Sequence, residues 1–179
     1  MPVSLRVLNA MDRAAFVAAV GGTFEHSPWI AERTWDARPF ASRDALHAAL
    51  CATVATATTE EQEGLIRAHP DLVGRAARAG TLTPASTNEQ AGAGLDALSA
   101  DEVALFDQYN AAYRERFGFP FVICARTNKK ASILAAFPVR LQHTREAEVA
   151  TALAEIAEIA RFRLADTVAD DTTDTGAPS

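Results

Sequence analysis

Apolar residues recur at three- and four-residue spacing along most of this 179-residue chain, the period of helices that bury one face. Ala14, Phe16, Val17 and Val20 mark a first apolar face, with Asn9 and Asp12 placed to cap it reciprocally and Gly21-Gly22 to end it. Ser27-Pro28 opens a short second helix, serine as cap and proline at the first helical position. Ser42 starts a third, carried by Leu46, Leu50 and Val54, and a fourth covers residues 60–68. Pro70 then keeps His69 out of helical backbone angles, so this imidazole sits at a helix exit.

Ser86-x-x-Glu89 and Ser99-x-x-Glu102 both read as capping boxes. The first opens a helix toward Leu98; the second opens a longer one through Val103, Phe106, Tyr109, Ala112 and Tyr113 that Gly118 and Pro120 break. Phe121-Val122-Ile123-Cys124-Ala125 is apolar throughout, and without a partner run it is expected as a buried extended segment. A short helix from Lys129 stops at Phe137 before Pro138, and Thr144 caps the last one, whose stripe is Val149, Leu153, Ile156, Ala160 and Leu164. The pattern predicts an all-α fold: a single compact multi-helix domain of roughly eight helices over residues 1–168, followed by a disordered acidic tail over residues 169–179.

Composition narrows the function classes. A hydrophobic content of 49% suffices for one substantial core, and a net charge of -6 gives no basis for binding nucleic acid or an acidic membrane. No apolar stretch is long enough to span a bilayer, and no basic region leads into a secretory apolar core, so a cytoplasmic protein is expected. Cys51 and Cys124 form no paired motif and are expected as buried free thiols. The four histidines lack metal-ligand spacing, and the glycine-rich phosphate loops are missing, so neither a metal nor a nucleotide cofactor is expected.

Three polar residues stand out against this background. At about 100° per residue, Arg163 lies about 20° from Ile156 and about 40° from Ile159, inside the buried stripe of the last helix. It must snorkel to the surface, meet a buried partner, or hold a bound anion through its planar fork. His69 is either a structural helix-end residue or a positioned proton carrier. Glu89 is either the carboxylate of the Ser86 box or a partner for an imidazole or a polar ligand.

Four segments, in this order and spacing, give the chain a resemblance to a known family: Phe24-Glu25-His26-Ser27-Pro28-Trp29, Ala68-His69-Pro70-Asp71-Leu72, Ser86-Thr87-Asn88-Glu89-Gln90, and Phe117 through Ala125. The chain resembles the 2-oxo-4-hydroxy-4-carboxy-5-ureidoimidazoline (OHCU) decarboxylases of purine degradation. The resemblance runs from Leu8-Asn9 to Arg163-Leu164. It implies an all-α domain, commonly a homodimer, that works without a cofactor. By the same resemblance His69 is the catalytic histidine and Glu89 its acidic partner, while Arg163 engages the substrate. Pro70, Ser86 and Gln90 would complete the pocket, with Phe119, Phe121, Val122 and Ile123 near the substrate ring and offering backbone polar groups.

The implied partner is a small ureidoimidazoline, decarboxylated to (S)-allantoin. Its carboxylate stands beside a ring imine, so the substrate supplies its own electron sink, and the protein has only to orient, stabilise charge and deliver a proton. Two rival readings are a non-catalytic helical module that binds a ureide or a protein, and a hydrolase of a related ureido heterocycle.

Overall fold

A computed structural model describes residues 2–170 and places ten α-helices among them. The fold is all-α, and among the described residues the only strands are two of two residues each. The chain divides into two compact units, one made of residues up to Thr56 together with those from Ala160 on, the other of Ala57–Ile159.

The first unit starts with strand β1 (Val3–Ser4), which pairs in parallel with β2 (Val168–Ala169), Val3 opposite Val168. Helix α1 (Leu5–Ala10) is capped by the Ser4 side chain, and α2 (Arg13–Val20) by Asp12, which accepts from the Ala15 amide at 2.8 Å. The expected reciprocal cap does not form. Asn9 lies inside α1 and instead clamps Phe40, exchanging two hydrogen bonds of 2.9 Å with its backbone. Helix α3 (Trp29–Thr34) starts after Pro28 without a cap from Ser27, whose side chain is buried. Helix α4 (Arg43–Ala55) opens on Ser42 and buries Leu46, Leu50 and Val54, as the spacing requires.

Arg43 ties this unit to the chain end. Its amide donates to Asp170 at 2.6 Å and its guanidinium to the Val168 carbonyl at 3.2 Å. Of the segment expected as a tail, Ala169 is in β2 and Asp170 is held by Arg43; residues 171–179 lie outside the described residues.

In the second unit, α5 (Thr59–Ala68) carries a capping box from Thr58 and Glu61, and ends at His69 in the extended conformation that Pro70 demands (φ −75°, ψ 139°). A four-residue helix, α6 (Arg75–Arg78), follows. Helix α7 (Pro84–Gly92) is capped by Thr83, not by Ser86. Both threonine and serine satisfy the local rule, but Pro84 suits the first helical position, and starting there lets Ser86, Glu89 and Gln90 share one buried face at i, i+3 and i+4. The helix also ends at Gly92, short of Leu98.

Helix α8 (Ala100–Phe117) runs from the Ser99–Glu102 capping box to Gly118, which takes the left-handed conformation (φ 79°) that favours glycine. The segment 119–125 is buried and forms neither helix nor strand. Helix α9 (Lys130–Arg140) runs through Pro138, against expectation. Near a helix end a proline forfeits one amide donor, and here the packing behind it compensates. Phe137 stacks on Phe121 with ring centroids 3.8 Å apart, and Tyr109 lies parallel to it at 5.0 Å. Tyr113 meets Phe117, Phe119 and Phe121 in the same aromatic core. Helix α10 (Arg145–Thr167), capped by Thr144, supplies residues to both units.

Candidate functional site

His69 is fixed by the helix it ends. Its Nδ1 lies 2.9 Å from the Leu65 carbonyl, one turn back in α5. A carbonyl only accepts, so Nδ1 carries a proton, and in the neutral form of the ring the lone pair falls on the buried Nε2.

The loop behind the imidazole is held by three side chains. Arg114 donates to both carboxylate oxygens of Asp71 from Nε, and Asn110 donates to the Leu72 carbonyl at 2.9 Å. Gln90 Oε1 accepts from the Val73 amide at 3.1 Å, holding valine at φ 57°, a conformation that a β-branched residue seldom adopts. Gly74 follows because no side chain fits there: a Cβ would stand 2.6 Å from that of Asp71. His69 and Pro70 are thus displayed on a rigid turn rather than a mobile one.

Glu89 and Ser86 are both buried within α7. The structure thus removes the capping-box explanation of Glu89: Thr83 is the cap, and Glu89 lies in the second turn of the helix. Arg126 Nε lies 3.8 Å from Glu89 Oε1 and balances its charge. Gln90 also borders a cavity of about 360 Å³ lined with Val73, Ala77, Leu82 and Leu95. That cavity reaches neither His69 nor Glu89.

Phe119, Phe121, Val122 and Ile123 are buried in the irregular segment. Their backbone lacks a ladder, and polar groups removed from water require partners. Val122 C=O accepts from Arg140 at 2.6 Å, and the Cys124 amide donates to Glu155 at 2.7 Å. Among the described residues the amides of Val122 and Ile123 and the carbonyl of Ile123 make no hydrogen bond.

Arg163 stands in the first unit, 5% exposed, with Glu25 Oε2 2.8 Å from its Nη1; Glu25 is 3% exposed. Of the three solutions open to a buried arginine, snorkelling is excluded and a buried partner is present. All of His69, Pro70, Ser86, Glu89, Gln90, Phe119, Phe121, Val122 and Ile123 belong to the second unit, and Arg163 belongs to the first.

Sequence reasoning missed Glu25, Arg126, Arg140 and Glu155. Only Glu25 carried a visible signal, as a carboxylate between Phe24 and His26 in one of the four family-like segments. Among the described residues no group of three or more His, Cys, Asp or Glu could hold a metal, and no helix is long and apolar enough to cross a membrane.

The family model described as OHCU decarboxylase matches residues 9–165. The 2-oxo-4-hydroxy-4-carboxy-5-ureidoimidazoline decarboxylase of Haloferax volcanii is 44% identical over 164 residues, 92% of this chain and 95% of its own length. A crystal structure of (S)-allantoin synthase matches 94% of this chain with a TM-score of 0.74 and 29% identity; the chain spans 54% of that one. A crystal structure of OHCU decarboxylase in the presence of (S)-allantoin matches 87% of this chain and 97% of its own, with a TM-score of 0.64. At 22% identity that second likeness is one of fold.

Proposed function

This chain belongs to the OHCU decarboxylase family, and on that premise we propose that it releases carbon dioxide from OHCU and forms (S)-allantoin in urate degradation, without a cofactor. The observation that carries the mechanism is the Nδ1–Leu65 bond of His69, which leaves the lone pair of the neutral ring on Nε2. That nitrogen takes the proton of the substrate's 4-hydroxyl. As the C4–carboxylate bond breaks, its electron pair forms a C4–C5 double bond and the imine nitrogen gains the electrons it can hold with a proton. Return of a proton to C5 on one face, with the 4-oxygen becoming a carbonyl, completes allantoin.

Glu89 serves as the acidic partner of this proton transfer. Support comes from its burial on α7 without a capping duty. Ser86 and Gln90, on the same helix face, and Pro70 line the pocket. The amides of Val122 and Ile123 and the side chains of Phe119 and Phe121 receive the ring. Arg163 holds an anionic group of the substrate, its charge tempered by Glu25. The protein acts in the cytoplasm and as a homodimer; the dimer rests on the family resemblance and is tested by light scattering across protein concentrations. Residues 1–168 form the family domain, supported by the family match over residues 9–165.

Carbon dioxide release and the optical rotation of the product, followed from freshly generated OHCU against its spontaneous decay, test the activity. Acceleration with a single allantoin enantiomer is expected. A rate equal to the uncatalysed decay would leave a binding module as the better reading.

A further inference from the structure

Arg140 sits in the turn of α9 beyond Pro138, buried, and its guanidinium makes three kinds of contact at once. Nη1 donates to the Val122 carbonyl at 2.6 Å; Nε and Nη2 reach Glu148 Oε2 at 2.9 and 2.8 Å; and the plane lies 4.3 Å from the centre of the Phe121 ring. Glu148 is wholly buried and is further bound by the Tyr113 hydroxyl and, at 2.7 Å, by His143 Nδ1. Burial and this bond to Glu148 push the Tyr113 hydroxyl far above its ordinary pKa, so it stays a donor. Two residues along the segment from Val122, Glu155 of α10 accepts from the Cys124 amide at 2.7 Å.

We propose that Arg140 and Glu155 are positioning residues for decarboxylation, a clamp that fixes the peptide planes on either side of Ile123. This rests on the reading that the segment 119–125 borders the substrate. A buried segment without a hydrogen-bond ladder has no internal means of fixing its peptide planes, so its geometry is set by what grips it from outside. One grip is on a carbonyl and the other on an amide two residues later, and between them lies the Ile123 backbone. An arginine satisfies the first grip because one planar fork can bind its counter-ion and a carbonyl together, which a lysine cannot.

The test compares four purified variants for turnover, thermal midpoint and amide hydrogen exchange at Cys124. Arg140→Lys keeps the charge opposite Glu148 but cannot reach Val122 as well, and kcat is expected to fall about 100-fold, the scale of an ångström misplacement. Tyr113→Phe loosens the same network without cutting the Val122 bond and should retain turnover within a few-fold. Glu155→Ala should lose turnover and speed exchange at Cys124. Glu155→Gln, which still offers a carbonyl oxygen, should recover both.

The clamp is overturned if Glu155→Ala keeps wild-type turnover and exchange, if Glu155→Gln is as impaired as the alanine, or if Arg140→Lys and Tyr113→Phe lose turnover alike. Should Arg140→Lys fail to fold, the Glu155 pair decides. A wild-type protein that does not accelerate decarboxylation strikes the functional reading instead, and exchange at Cys124 then judges the clamp without reference to turnover.

Discussion

Glu25→Gln should destabilise the first unit far more than a one-atom change suggests. The carboxylate and the Arg163 guanidinium are both buried, with 2% and 6% of their side chains exposed and a 2.8 Å contact between them. Two unit charges about 4 Å apart at an effective dielectric near 20 attract by about 4 kcal/mol. Removing each charge from water has already cost several kcal/mol, so the intact pair contributes little net. The variant behaves differently, because it keeps the full desolvation of the guanidinium and loses the charge that offset it. Breaking a buried pair from one side costs about 3–5 kcal/mol, and glutamine, still able to accept from Arg163, belongs near the lower figure. For a chain of this length that corresponds to a drop of about 6–12 °C in the thermal midpoint. Circular dichroism at the helical band measures it, and Glu25→Gln combined with Arg163→Met should regain part of the loss because both charges are then gone. A midpoint within about 2 °C of the wild type would refute the argument, since a buried guanidinium deprived of the Glu25 charge cannot be that cheap.

His69→Ala should lower kcat by about 10²- to 10⁴-fold, the usual contribution of a positioned proton carrier, with an unchanged far-ultraviolet spectrum. Near-normal turnover in that variant would remove the histidine from the chemistry. Arg163→Lys keeps the charge beside Glu25 but loses the planar fork, and kcat/KM should fall about 10- to 100-fold, as expected for a charged hydrogen bond; unchanged kinetics would exclude bidentate recognition. Hydrogen bonding to Arg145 holds the Glu63 carboxyl below its ordinary pKa, with Arg67 adding to the effect. A lowered folded-state value means that the unfolded chain binds the proton more readily, so this contribution is present above about pH 4.3 and is lost as pH falls through the folded value. Acid titration of stability should therefore show a rise with pH in that window that Glu63→Gln flattens, and an identical slope in the two proteins would contradict the assignment.

What could be read from the order of residues depended on how local the deciding interaction was. Helix α8 was legible at both ends because Ser99, Glu102 and Gly118 act within a few residues of the backbone they terminate. The start of α7 was not. Thr83-Pro84 and Ser86-x-x-Glu89 are both good local starts, and the choice between them is made by burial of Ser86, Glu89 and Gln90, a tertiary fact. The same holds for α9, where Pro138 is a correct local stop signal that the stacking of Phe137 on Phe121 and the anchoring of Arg140 override. The position of His69 at a helix exit was legible because proline acts on its immediate neighbour, whereas partners of the buried arginines are remote. Glu25 stands 138 positions from Arg163, and Val122 stands 18 from Arg140. Helical periodicity can show that an arginine lies in an apolar stripe, but it carries no information about which carboxylate faces it. Physics at that point supplies only a requirement that some partner exist. That requirement still has predictive content: it led from the position of Arg163 to the expectation of a buried partner or an anion, and it applies equally to Arg140, where one guanidinium satisfies both a buried carboxylate and a carbonyl that no secondary structure would have paired.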